Sequence, residues 1–145
     1  MKNIEINDGY KRFMINKDPK RVLSFNPSDV NIIYRLEEGV KNIEKITTQY
    51  ADIELKADGT PYESLVEVAE AVNKVDKEIR QEVDKMFNTN ASDALFGKQS
   101  PLSMVDGIQL WETALMAIIP AVKTEVLAQQ KIRSEKISKY TKQVK

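Results

Sequence analysis

Residues 86–111 read MFNTNASDALFGKQSPLSMVDGIQLW. Large apolar side chains here surround a break of small polar residues and Gly97, a pattern that predicts one helical turn over residues 92–97, closed by the glycine. The stretch holds no combination of nucleophile, base and metal ligand. It therefore indicates packing or contact with another protein.

Two long amphipathic helices are predicted before this stretch. The first starts at residues 26–29, where Asn26 or Ser28 can cap it. Gly39 is expected to be a weak point in an exposed helix interior. Helical spacing is shown by an apolar stripe of Ile32, Leu36, Val40, Ile43, Ile46, Tyr50 and Ile53. We expect the opposite face of this helix to be exposed to solvent, with Arg35, Glu37, Lys41, Glu44 and Lys45.

The second helix is predicted from a capping box at residues 60–63, with Thr60 at the cap, Pro61 at the first helical position and Glu63 after it. Its stripe runs through Leu65, Val68, Val72, Val75, Ile79, Val83 and Met86. Residues 88–92 break the pattern.

The first 25 residues have the pattern of strands. Residues 3–6 and 10–15 are extended segments around a turn at residues 7–9, and residues 17–20 are a second turn before a strand at 21–25. Because so small a sheet is not stable alone, one of its faces must pack on the helices.

A last helix is predicted after Pro101, capped by Ser103. It runs through Ile108, Trp111, Leu115, Ile118 and Val122. Pro120 lies inside this pattern and predicts a kink near residues 116–120 or two shorter helices. Beyond Leu127 the stripe thins between lysines, so this segment is a solvated helix, a partner-binding segment or disordered.

These elements predict an α+β fold that is mostly α, with an N-terminal β-hairpin or small meander packed on a bundle of three to four helices. Residues 1–127 are expected to form a single helical domain with its β segment at residues 1–25. Residues 128–145 are expected to be a basic C-terminal helical extension or tail.

The chain has no histidine and no cysteine. It thus lacks the side chain that titrates near neutrality and the strongest nucleophile, and Ser100 and Ser103 have no histidine to activate them. Gly97-Lys98 lacks the further glycines of a phosphate loop. We therefore expect no enzyme, no catalytic residue, no cofactor and no disulfide.

Acidic clusters are the remaining candidates for chemistry. Asp76, Glu78, Glu82 and Asp84 alternate with basic residues, which favours a solvated helix face over a metal site. Asp93 and Asp106 could form a catalytic pair, but acids at such positions more often cap or precede the first turn of a helix. We expect no metal.

Charge is balanced overall but unevenly placed. Residues 123–145 hold seven basic and two acidic residues, whereas residues 62–93 hold eight acidic and four basic ones. Two segments of opposite net charge favour head-to-tail attraction between copies or attraction within one chain. The basic segment has a single aromatic residue, Tyr140, and no nucleic-acid-binding motif. With no apolar run of signal or membrane length, we expect a soluble cytoplasmic protein that binds neither nucleic acid nor membranes.

The order of these features resembles the small tail assembly chaperone-like proteins of bacteriophages and prophages of Gram-positive bacteria. The amino-acid residues themselves resemble the family at residues 25–29 and 93–97, followed by Asp106-Gly107 and the apolar residues 111–122. The resemblance in the order of elements covers residues 3–125. The family's glycine-rich turn after the Phe-Gly pair is shorter and polar here, at residues 98–102.

The resemblance implies a chaperone in the cytoplasm of the bacterial host that holds the phage tape measure protein, recruits tail tube subunits and can self-associate. A groove for a partner helix is expected from Leu95, Phe96, Trp111, Leu115 and Ile118, with Phe96 and Trp111 as anchors. For these two, burial in the core is the alternative. Alternative functions are a phage-encoded inhibitor of a host defence complex, whose acidic helix mimics nucleic acid, and a structural virion protein such as a connector.

Overall fold

The computed structural model describes residues 1–51 and 64–144. Strands β1 (Lys11–Ile15) and β2 (Asp18–Phe25) are followed by helices α1 (Asn31–Ala51), α2 (Leu65–Phe87) and α3 (Ala91–Phe96). A second pair of strands, β3 (Met104–Val105) and β4 (Ile108–Gln109), precedes helix α4 (Leu110–Val144). The expected α+β fold, mostly α with an N-terminal hairpin, is confirmed.

The N-terminal sheet is a two-stranded antiparallel hairpin rather than a meander. Residues 3–6 form no strand, and the turn lies at Asn16-Lys17 instead of residues 17–20. Both turn residues have positive φ, the type I′ geometry that matches the twist of paired strands. Pro19 therefore belongs to β2, in the part where the register shifts and a missing amide hydrogen is tolerated.

The core lies where the inner face of the hairpin meets the helices. Leu23 and Phe25 of β2 are buried, and Phe13 packs on Phe25 with 5.2 Å between ring centroids. The helices contribute apolar side chains at three- and four-residue spacing: Ile32, Leu36, Ile43, Val75, Ile79, Val83, Met86, Phe87, Trp111, Leu115, Ile118, Val122 and Val126. Burial of these stripes provides most of the stability of the helices.

Helix α1 begins at Asn31, later than the proposed caps predict. The Oδ1 atom of Asp29 accepts from the amide of Asn31, while Asn26 Oδ1 accepts from the amide of Ser28 in the preceding turn. Four of the expected water-facing residues of this helix are exposed, but Arg35 is half-buried, since its Nε atom donates to the carbonyl of Met86 at 3.0 Å.

Gly39 is a buried contact between helices and not a weak point in an exposed surface. A Cβ atom at this position would lie 2.3 Å from Cε and 2.7 Å from Cγ of Met86, whose side chain is 1% exposed. Because real Cβ atoms do not approach other atoms so closely, the glycine allows α2 to pack on the backbone of α1.

Gly39→Ala is therefore expected to lower the free energy of unfolding by about 1 kcal/mol, because overpacking costs about 1–3 kcal/mol and the gain in helix propensity is about 1 kcal/mol. Urea denaturation measures the change. In a Met86→Ala background the same substitution should stabilise the protein, since the clash is gone. Stabilisation of the wild-type chain by Gly39→Ala would refute the close contact.

Helix α2 begins at Leu65, with the Ser64 side chain accepting from the amide of Glu67 at 3.2 Å. The capping box at residues 60–63 lies outside the described residues, as does Ile53 of the first stripe. Leu65, at the head of the expected second stripe, is 87% exposed, so burial of this helix starts further along the chain.

The predicted turn at residues 92–97 is confirmed as α3. Asn88, with φ of 54°, ends α2, and Gly97, with φ of 59°, ends α3 and donates its amide to the carbonyl of Asp93. Asp93 lies in the first turn of α3, as expected.

Helix α4 starts at Leu110 and not near Ser103. Asp106 and Gly107, both with positive φ, form the tight turn between β3 and β4, so Asp106 does not precede a helix. The first amides of α4, those of Leu110 and Trp111, donate to the carbonyls of Ser103 and Pro101. The helix continues past Pro120 to Val144, so the alternative of two shorter helices is wrong, and a kink near residues 116–120 stays a prediction. The division between residues 1–127 and 128–145 stays a prediction.

Candidate functional site

All five expected groove residues are buried. Leu95, Phe96, Trp111, Leu115 and Ile118 have exposed fractions of 2–8% and belong to the core. For Phe96 and Trp111, such burial agrees with the alternative prediction that they are core residues. Trp111 and Leu115 also border a surface groove. Direct contact of the five with a partner stays a prediction.

The carbonyls at the end of α3 are held by Arg21 of β2. Its Nε atom donates to the carbonyl of Ala94 at 2.9 Å, and its Nη2 atom donates to the carbonyl of Leu95 at 2.7 Å. Since the last carbonyls of a helix have no partner within it, this arginine satisfies two of them and fixes α3 against the hairpin.

Arg80 of α2 contacts the other side of the α3 segment. Its Nε atom lies 3.0 Å from Oδ1 of Asp76, and its Nη2 atom donates to the carbonyls of Gly97 at 3.0 Å and Gln99 at 2.6 Å. The guanidinium also lies over the ring of Phe96, 5.6 Å from its centroid. Arg80 thus ties α2 to the end of α3 and to the loop that follows.

Three of the four acidic residues in the cluster on α2, Asp76, Glu82 and Asp84, have structural partners. Asp84 Oδ1 accepts from the amide of Ser92, and Glu82 lies 3.7 Å from Lys85. Within residues 1–51 and 64–144, no group of three or more carboxylates is placed to hold a metal ion.

An open apolar groove lies between α1 and the first half of α4. One part of it, about 540 Å³, is lined mostly by apolar side chains. A second part continues along α1 and shares Val40, Glu44 and Ile119 with the first. We call this surface the α1–α4 groove; it is lined by Leu36, Glu37, Val40, Lys41, Glu44, Trp111, Glu112, Leu115, Met116, Ile119, Pro120 and Lys123.

Trp111 and Leu115 line the first part of the groove, whereas Leu36 and Lys123 line the second part. Met116 stands on the edge of the groove with 68% of the side chain exposed. Glu112 lines the part that contains Trp111; Glu37, Lys41 and Lys123 line the second part, and Glu44 lines both.

Pro120 changes the hydrogen bonding at the edge of the groove. In a regular helix the amide of residue 120 donates to the carbonyl of Met116. Proline has no amide hydrogen, so this carbonyl lacks its usual donor.

The C-terminal part of α4 extends beyond the core. Val126 is the last buried residue of the helix that the structure describes, and residues 131–141 are exposed. None of the described helices combines the length and hydropathy needed to cross a lipid bilayer.

The groove could not be located from sequence, because its walls come from two helices whose packing the stripes do not specify. The proline inside a helical pattern was the signal that the sequence offered. Comparison with protein-family models, curated proteins and solved structures found no match to this chain.

Proposed function

We propose that this protein is a non-enzymatic assembly chaperone of phage tails, which binds a helical segment of the tape measure protein in the α1–α4 groove. The open apolar groove, with Met116 on its edge, is the observation that carries this proposal. The resemblance of residues 25–29 and 93–97 to tail assembly chaperone-like proteins supplies the class of partner.

The chemistry of the groove suits an amphipathic helix. Such a helix places apolar side chains at three- and four-residue spacing into an apolar groove and leaves its polar face in water. The lining of the groove combines aliphatic and aromatic groups, the thioether of the exposed Met116, and charged groups. A tape measure protein presents long apolar helical faces, which a chaperone of this kind would shield from aggregation.

The proposal includes the expected setting and further partner. The chaperone acts in the cytoplasm of the bacterial host and recruits tail tube subunits to the tape measure protein. A connector role would instead keep the protein in the finished particle, so its presence in purified virions would count against the chaperone function.

Co-expression with the tape measure protein of the same genome tests the function. We expect the tape measure protein to be recovered in the soluble fraction together with the wild-type chain. Met116→Glu should reduce the recovered complex at least tenfold, because it places a charge on the apolar edge of the groove beside the acidic Glu112, and 1.4 kcal/mol of lost binding energy suffices for that factor.

Leu65→Glu is the matched control, since Leu65 is an exposed aliphatic residue on α2, away from the groove. It should leave the complex intact. Both variants should unfold at the wild-type urea concentration, because both sites are exposed. Equal recovery with Met116→Glu and wild type, or no complex with either, would contradict the proposal.

A further inference from the structure

The charges that line the α1–α4 groove are distributed unevenly. Glu44 and Glu112 line the part that contains Trp111, and among the described residues no basic one lines that part. Lys41 and Lys123 both line the second part. We call the part that contains Trp111 and Glu112 the acidic part of the groove; the other part is mixed in charge.

The carboxylates of the acidic part are open to a bound molecule. Glu44 and Glu112 are exposed, and neither forms an ion pair within residues 1–51 and 64–144. Lys41, by contrast, lies 3.9 Å from Glu38. Exposed ion pairs contribute little affinity, but they select between partners and between orientations of one partner. The acidic part therefore favours a positively charged group on the molecule that occupies the groove.

The groove has a direction along α4. The acidic part is lined on this helix between Trp111 and Pro120, and Lys123 follows in the second part. From residue 111 to residue 123 a helix rises about 18 Å, which matches an amphipathic partner helix of about three turns. A helix carries partial positive charge at its first turn and partial negative charge at its last. The acidic part therefore favours the first turn of the partner helix.

We propose that the α1–α4 groove takes its partner helix in one direction, parallel to α4, with a basic first turn against Glu44 and Glu112. The inference rests on the proposed function, which puts a helix in this groove, and it states which kind of segment fits. That segment is an amphipathic helix of about three turns whose first turn carries lysine or arginine. Its last turn lies at the second part, near the ammonium group of Lys123.

This charge order is unfavourable for a helix on its own. A basic residue in the first turn opposes the dipole of its own helix, whereas the same residue in the last turn stabilises it. The preference of the groove and the helicity of the free segment therefore act in opposite senses. A segment that binds more tightly with a basic first turn does so because of the groove and not because it is more helical.

Two synthetic peptides of about 14 residues test the direction on the purified full-length protein. They have the same composition, capped ends and leucines at three- and four-residue spacing, but one carries a pair of lysines in its first turn and the other carries them in its last turn. Trp111, the single tryptophan, lines the groove, so its fluorescence reports binding. We expect the peptide with the basic first turn to bind roughly fivefold more tightly, a ratio that corresponds to about 1 kcal/mol.

Two exposed glutamates offer matched variants, since Glu112 lines the acidic part alone and Glu37 lines the second part alone. Glu112→Gln combined with Glu44→Gln should make the two affinities equal, whereas Glu37→Gln should leave the ratio unchanged. Equal binding of both peptides to the wild type, tighter binding of the peptide with the basic last turn, or binding of neither would overturn the proposal. A ratio that survives the Glu44→Gln and Glu112→Gln substitutions would overturn it too.

Co-expression with the tape measure protein reports on the function separately. If the wild-type chain recovers the tape measure protein but the peptides bind equally, the function stands and the direction is wrong. If recovery fails while the peptide ratio holds, the direction stands and the partner belongs to another class of protein.

Discussion

Phe96→Ala is expected to lower the free energy of unfolding by about 3–5 kcal/mol, the usual cost of truncating a buried aromatic residue. Phe96 is 2% exposed and lies beneath the guanidinium of Arg80. Its removal leaves a cavity between α3 and α2. Because the free energy of unfolding of a small domain is about 5–15 kcal/mol, the variant loses a large part of its stability.

The fluorescence of Trp111, the single tryptophan, follows unfolding in urea. Phe96→Leu keeps most of the volume and should cost less than about 1.5 kcal/mol. Phe96 would instead be an anchor for the partner if Phe96→Ala left the unfolding midpoint unchanged and abolished recovery of the tape measure protein.

Arg80→Ala is the second substitution with a large expected effect, about 2–3 kcal/mol of unfolding free energy. It removes the donors to the carbonyls of Gly97 and Gln99 and leaves the Asp76 carboxylate without its cation. Loss of one partner from a buried ion pair costs about 3–5 kcal/mol. We expect less here because the Arg80 side chain is 21% exposed and therefore partly screened by solvent.

Lys77→Ala provides the control on the same helix, since Lys77 is exposed. Its effect should stay within about 0.5 kcal/mol. Urea unfolding of both variants measures the difference, and Arg80→Lys should recover only part of it because an ammonium cannot reach all three acceptors in the same geometry. If Arg80→Ala were as stable as Lys77→Ala, Arg80 would not hold the α3 segment in place.

The helices were predictable from sequence because their burial follows a regular period. The stripes of α1, α2 and α4 place buried side chains such as Ile43, Ile79 and Leu115 where the spacing expects them. The glycine that ends α3 was likewise predictable, since its conformation is determined locally.

The turns of the hairpins were harder to predict from sequence. Asp18-Pro19 is a favourable local turn, but pairing of β1 with β2 instead places Asn16 and Lys17 in the turn. Asp106-Gly107 is a strong hairpin signal that the long apolar pattern around it concealed. In both places the strand pairing determined the result.

The contacts that assemble the site depend on distant parts of the chain. Arg21 and Arg80 look like ordinary surface charges in sequence, yet both hold carbonyls around α3, far away along the chain. Gly39 looks like a defect until Met86 is placed against it. Only the tertiary packing of α1 and α4 shows that Met116 borders a groove.

A photo-activated cross-linking side chain at position 116, in the full-length protein co-expressed with the tape measure protein, tests the occupancy of the α1–α4 groove most directly. The account predicts a cross-link from position 116 to the tape measure protein and none from the same group at position 65. A cross-link from position 65 alone, or from neither position in cells where the complex forms, would contradict it.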